Sequence, residues 1–232
     1  MTTLTLNDII NSVIRLMDEH GGNAAFMSGG AMDETKRIIE QVTENAIRKM
    51  HLKAPIAMLD AFELEKGWPV ERNVVNGRYM WSIILPDDFF RLVSCRMETW
   101  TRPVSQLWWE DSNEYAKQKN PYLMNTWERP IAFYVHHGIV KYVEMYSTDD
   151  DQDELREFLY APTPTWNENK TSFLYIADHL KDASLMQVTA DTLVVLGETE
   201  RAQQMQALAM QAINTYGGME RNFADNGQRI ER

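Results

Sequence analysis

Apolar residues recur every three to four positions at the start of the chain, with Leu6, Ile9, Ile10, Val13, Leu16 and Met17 on one stripe. That spacing predicts an amphipathic helix ending at Gly21-Gly22. Thr5-Leu6-Asn7-Asp8 has the character of a capping box, in which two side chains three residues apart satisfy the first free backbone N–H groups. A loop of small residues, 21–30, leads to a second predicted helix over 33–52. Ile39, Val42, Ala46, Ile47 and Met50 line its apolar stripe, and Ala54-Pro55 closes it. From Ile56 the period changes to two, through Met58, Phe62 and Leu64, until Gly67-Trp68-Pro69 breaks the run.

Strand patterns then dominate. Asn76-Gly77 between β-forming residues is a strong hairpin signal. Pro86 cannot donate to a ladder, so the strand before it must stop. Asp87 and Asp88 suit a short turn of helix there, anchored by Phe89 and Phe90, before a strand over 91–100 that places Cys95 on one face with Val93 and Met97. Residues 101–130 read as a packed excursion with a short helix around 110–119. Runs 131–135 and 139–146 flank His136-His137-Gly138 as a second hairpin. After an acidic run, 149–154, a further strand is expected near 156–160, then a linker at 161–165. Two helices follow, over 175–196 and 199–216, separated by Gly197. Gly217-Gly218 ends the second, and a polar tail runs to Arg232.

The resulting order, helices then strands then helices, predicts an α+β fold. The N- and C-terminal helices form a helical bundle, with an antiparallel β-rich subdomain inserted between them. The expected boundaries are 1–55 and 166–216 for the bundle, 56–165 for the insertion and 217–232 for a tail.

Composition narrows the function classes. With 232 residues, 44% of them hydrophobic, the chain can bury a sizeable core. A net charge of −11 argues against gripping nucleic acid through its phosphates. The single cysteine, Cys95, excludes an internal disulfide framework and reads as a core residue. The first residues lack the charged and apolar regions of a signal peptide, and no uninterrupted apolar run is long enough to span a bilayer. A chain made in the cytosol, with no membrane association, is therefore expected.

Chemistry-bearing motifs are absent: there is no P-loop, G-x-G-x-x-G, H-E-x-x-H or G-x-S-x-G. His136 and His137 are adjacent, so on a strand they point to opposite faces and cannot chelate one ion; they read as turn residues. Asp149, Asp150, Asp151, Asp153 and Glu154 lack the glycine and closing glutamate of an EF-hand, and a solvated acidic loop is the default. The expectation is therefore no catalytic residue, no metal, no cofactor and no enzyme. Trp108, Trp109 and Trp127 suit packing in a core or at a protein interface.

In this order the chain resembles the head-to-tail adaptor, or connector, proteins of tailed and especially short-tailed bacteriophages. The resemblance is carried by the helices over 6–17 and 33–52 and by the corner Leu85-Pro86-Asp87-Asp88-Phe89-Phe90-Arg91-Leu92. The hairpin over 131–146 and the closing helices complete it. It implies a virion structural protein of the neck, assembled as a dodecameric ring below the portal, with a central channel for DNA ejection. The partners implied are the portal protein, further copies of the chain, a downstream tail or nozzle protein, and double-stranded DNA in transit without sequence-specific binding. The tail, with Arg221, Phe223, Arg229, Ile230 and Arg232, would become ordered on the portal. The acidic loop would face either the channel or the next tail component. The alternative reading is a small-ligand or carbohydrate-binding protein whose tryptophans form a recognition platform.

Overall fold

The computed structural model of the chain describes residues 1–19, 29–65, 67–75, 77–120, 122–148 and 152–227, with the backbone alone at 29–31, 147–148 and 216–227. Helix accounts for 41% and strand for 31%, so the chain is of mixed α+β class.

The first elements are β1 (Thr2–Thr5), α1 (Leu6–Glu19) and α2 (Gly29–Lys53), then β2 (Phe62–Glu63), β3 (Val70–Val75), β4 (Arg78–Ile84) and β5 (Phe89–Met97). Next come β6 (Leu107–Trp109), α3 (Asn113–Gln118), β7 (Ile131–His137), β8 (Val140–Thr148) and β9 (Leu155–Pro162). The chain closes with β10 (Thr165–Trp166), β11 (Ser172–Ile176), α4 (Lys181–Val195) and α5 (Thr199–Gly227). Two compact units result, one of Met1–Asp60 with Thr163–Arg232, the other of Ala61–Pro162.

In the first unit the capping box forms as read. Thr5 N and Oγ1 donate to Asp8 Oδ2 at 3.2 and 2.6 Å, and Asp8 N donates to Thr5 Oγ1 at 3.1 Å. Helix α4 packs against α1, α2 and α5, and Ile9, Val13, Ile39, Ile47, Val188 and Met205 share its core. Buried almost all round, α4 returns the hydroxyls of Thr189 and Thr192 to its own carbonyls at 2.9 and 2.8 Å. It ends in a Schellman turn: Gly197 N donates to Val194 O at 3.1 Å and Glu198 N to Leu193 O at 2.9 Å. Gly197 sits there at φ +86°.

Three expectations fail in this unit. The helix expected from 175 starts only at Lys181, because residues 175–176 end strand β11, which β1 pairs with from the far end of the chain. Tyr175 adopts φ 63° where that pairing slips by one residue. The linker read over 161–165 is largely strand, since β9 runs to Pro162 and β10 starts at Thr165. Helix α5 continues through Gly217-Gly218 to Gly227. The two glycines cost a helix roughly 2 kcal/mol relative to alanines, and the good helix formers Met219, Glu220 and Arg221 follow them directly.

In the second unit, a five-stranded sheet in the order β3-β4-β8-β7-β6 lies beside a three-stranded sheet β2-β9-β5. Ile83, Cys95, Met97, Trp100, Val143, Met145 and Phe158 form their shared core. Both predicted hairpins are present, with Gly77 at φ +79° and Gly138 at φ +67° in their turns. Asn76 lies outside the described residues.

The Pro86 corner is a single turn, closed by Phe89 N donating to Pro86 O at 3.0 Å, and Phe89 and Phe90 already belong to β5. Pairing of β5 with β9 shifts between Leu92 and Ser94. This bulge resets the alternation, so Leu92, Cys95 and Met97 are buried while Val93 is only half-buried. The alternation through Met58 and Leu64 yields a 3-10 turn over Ile56–Met58 and a two-residue strand. Strand β6, parallel to β7, is not foreshadowed by the local pattern.

Candidate interaction surface

Most of the large apolar side chains that are exposed among the described residues of the second unit lie in the excursion between β5 and β7. Trp109 is 62% exposed and Tyr122 93%. Trp108, Trp127 and Leu123 are exposed as well. At the tip of the β7–β8 turn Ile139 is 97% exposed, a residue the hairpin pattern assigns to a strand. Tryptophan and tyrosine exposed in this way suit burial against another protein.

Trp108 and Trp109 are successive residues of β6, so they project to opposite sides of the sheet. Trp109 meets Tyr134 edge-to-face with ring centroids 5.0 Å apart. Two neighbouring tryptophans therefore do not make one stacking platform, as a saccharide site built on the pair would need. Trp127 is fixed through its backbone: its carbonyl accepts from Thr101 N and Oγ1, both at 3.3 Å.

A buried carboxylate fastens this excursion to the sheet. Glu144, on β8, accepts hydrogen bonds from Tyr115 Oη on α3 at 3.1 Å and from Tyr146 Oη at 3.0 Å. His137 Nε2 lies 4.0 Å from its other oxygen. Burial, reinforced by the Glu144 charge, pushes the Tyr115 hydroxyl up to about 12 and raises that of Tyr146 as well. Both phenols thus remain protonated donors to the carboxylate. Ser112 caps α3 by accepting from Tyr115 N at 3.3 Å, which aims the tyrosine at the sheet.

His136 and His137 are the last residues of β7, not turn residues; the turn is Gly138-Ile139. They point apart as expected of neighbours on a strand, and His136 N donates to Glu110 Oε2 at 3.2 Å. Among the described residues no group of three or more His, Cys, Asp or Glu side chains is placed to hold a metal ion. Cys95 is fully buried, its thiol 3.2 Å from Met145 Sδ, and burial pushes the thiol well above its usual range, so it stays protonated and inert.

The acidic run divides. Asp149, Asp150 and Asp151 lie outside the described residues. Asp153 turns inward, 3% exposed, and accepts from Thr99 N at 3.1 Å and Thr99 Oγ1 at 2.6 Å. It is a clasp on the turn after β5, where the sequence suggests a solvated charge facing a channel or a tail component. Glu154 has its carbonyl bound by Glu98 N at 2.9 Å. It lines an open cleft of about 610 Å³ with Glu63, Glu65, Trp68, Trp81 and Glu157.

Of the tail residues, Arg221 and Phe223 lie on α5 where only the backbone is described, and Arg229, Ile230 and Arg232 lie outside the described residues. No helix among the described residues is long and apolar enough to cross a membrane. Neither a known protein family nor any curated protein matches the chain.

Proposed function

We infer that the chain is a head-to-tail adaptor of a short-tailed bacteriophage, a non-enzymatic structural protein of the virion neck. Copies of it form a ring, a dodecamer in the resembling proteins, between the portal and the tail or nozzle. In this reading the helices of the first unit are a bundle, and Ala61–Pro162 is a β-rich subdomain inserted into it. One observation carries the reading. The two ends of the chain share one compact unit with α1, α2, α4 and α5, while the stretch between them forms a separate strand-rich unit with exposed aromatic side chains. That is the element order on which the resemblance rests. The net charge of −11 agrees with it, because a conduit for DNA works by not holding the phosphates.

The acids at 149–151 suit a channel wall or a face toward the tail, and Arg221, Phe223, Arg229, Ile230 and Arg232 suit a portal-docking segment. Native mass spectrometry of the protein mixed with the portal encoded in the same genome tests the reading. A stoichiometric ring on the portal is expected, and it should be lost on truncation at Gly217. A protein that stays monomeric beside intact portal, or a truncated chain that still assembles, overturns the function or the tail assignment respectively.

A further inference from the structure

The five-stranded sheet has two open edges, β3 and β6, to which no strand pairs on the outer side among the described residues. Exposed edges that must stay monomeric are normally blunted by charge or cover. Exposed Glu71 and Arg72 put some charge on β3, yet each edge still carries a large apolar side chain in solvent, Val74 on β3 at 63% exposure and Trp109 on β6 at 62%.

We propose that these two edges recognise each other between copies of this chain, β6 of one copy lying against β3 of the next. The inference deepens the ring reading above and rests on it. Strand direction supports it. From β3 the sheet steps antiparallel to β4, β8 and β7 and then parallel to β6, so β3 and β6 run in opposite directions. Copies related by a simple rotation therefore bring the two edges together antiparallel, the more stable sense of pairing. The contact uses two different patches, so it is heterologous and closes into a ring where the rotation between copies closes, which a single self-complementary patch cannot do.

Side-chain chemistry fixes one register. With Trp109 opposite Val74, Trp108 falls opposite Val75, and the acidic turn Glu110-Asp111 lies toward the Arg72 end of β3. The backbone ladder along this edge is short, because β6 has three residues and the Trp109 carbonyl already accepts from Ser112 N at 3.0 Å and Ser112 Oγ at 2.6 Å. Each contact is consequently weak alone, and closure of the ring multiplies it.

Disulfide trapping tests the inference, since the one native cysteine, Cys95, is buried and does not compete. Two single variants, Val74→Cys and Trp109→Cys, are treated with a mild two-electron thiol oxidant, each alone and both mixed beforehand while reduced, at a concentration where native mass spectrometry finds oligomers. Crosslinked pairs are expected only in the mixture, and a ladder ending in closed rings is expected for the double variant. Pairs in the Val74→Cys sample alone would show two-fold pairing of β3 and overturn the inference. So would an uncrosslinked mixture, or wild-type protein that stays monomeric with and without portal. A portal-bound ring without the crosslink sinks the edge contact and leaves the adaptor reading standing, whereas crosslinked rings that ignore the portal do the reverse.

Discussion

His51 has both imidazole nitrogens engaged in the interior of the first unit. Ala177 N–H donates to Nε2 at 3.1 Å, so the proton sits on Nδ1 and is donated to Ile47 O at 2.9 Å. Burial lowers its pKa from the ordinary 6.5. Above pH 6.5 the imidazole is neutral in folded and unfolded chains alike, and its contribution to stability is complete. As pH falls below 6.5 the unfolded chain takes up the proton first, and stability drains until the folded-state pKa is reached. Urea unfolding of the first unit followed from pH 7.5 to 5, a window of about one unit above and somewhat more below that value, should therefore show stability declining on the acid side. His51→Gln should flatten that slope whatever its absolute stability; an unchanged slope would assign the effect elsewhere. Asp153 and Glu144 follow the same rule of buried polar groups: each is tolerated in the interior because donors from a neighbouring element satisfy it.

At the scale of elements, turn chemistry and caps predict more than apolar period does. Thr5 with Asp8, Gly77, Gly138 and Gly197 all occupy the positions their residue types demand. Gly197→Ala places a Cβ in the left-handed region and should destabilise the α4–α5 corner by about 1–2 kcal/mol, read as a lower midpoint in urea with unchanged slope. Among the described residues no atom beyond the chain neighbours stands within 4 Å of the added carbon, so the cost would come from the backbone conformation and not from a clash. A neutral substitution would mean that the corner relaxes out of the Schellman geometry. Period misleads where a strand partner lies far off in sequence. Residues 175–176 continue the helical stripe of 175–196 in sequence, and pairing with β1 draws them into a strand. In β5 the alternation of Val93, Cys95 and Met97 looks unbroken in sequence, yet the bulge opposite β9 removes Val93 from the buried set.

For the whole molecule, charge sets the behaviour toward DNA. A chain of net charge −11 should leave the electrophoretic mobility of duplex DNA unchanged even at low ionic strength, where phosphate contacts are strongest. A salt-dependent shift would reveal a basic face that folding concentrates out of an acidic composition, and would contradict a passive conduit. The candidate surface was only partly legible. Trp108, Trp109 and Trp127 could be named from residue type, but the placement of Trp108 and Trp109 on opposite sides of an edge strand depends on β6 pairing with β7, some twenty residues on. The buried Glu144 hub carried no signal at all, since a lone glutamate in an alternating strand reads as a solvent-facing position. Asp153 was masked in the same way by the acids around it.

By itself the sequence determined what short-range physics controls: the helices α1 and α2, the two glycine hairpins, the stop at Pro86, the inert Cys95 and the acidic net charge. Each follows from periodicity, backbone permissiveness or composition within a few residues. Tertiary structure alone decided which strands pair beyond those two hairpins, where register slips, which acids turn inward and which sheet edges stay open. Those outcomes depend on segments up to the length of the chain apart, where a strand's faces and a carboxylate's partners are set by what arrives beside them and not by what precedes them.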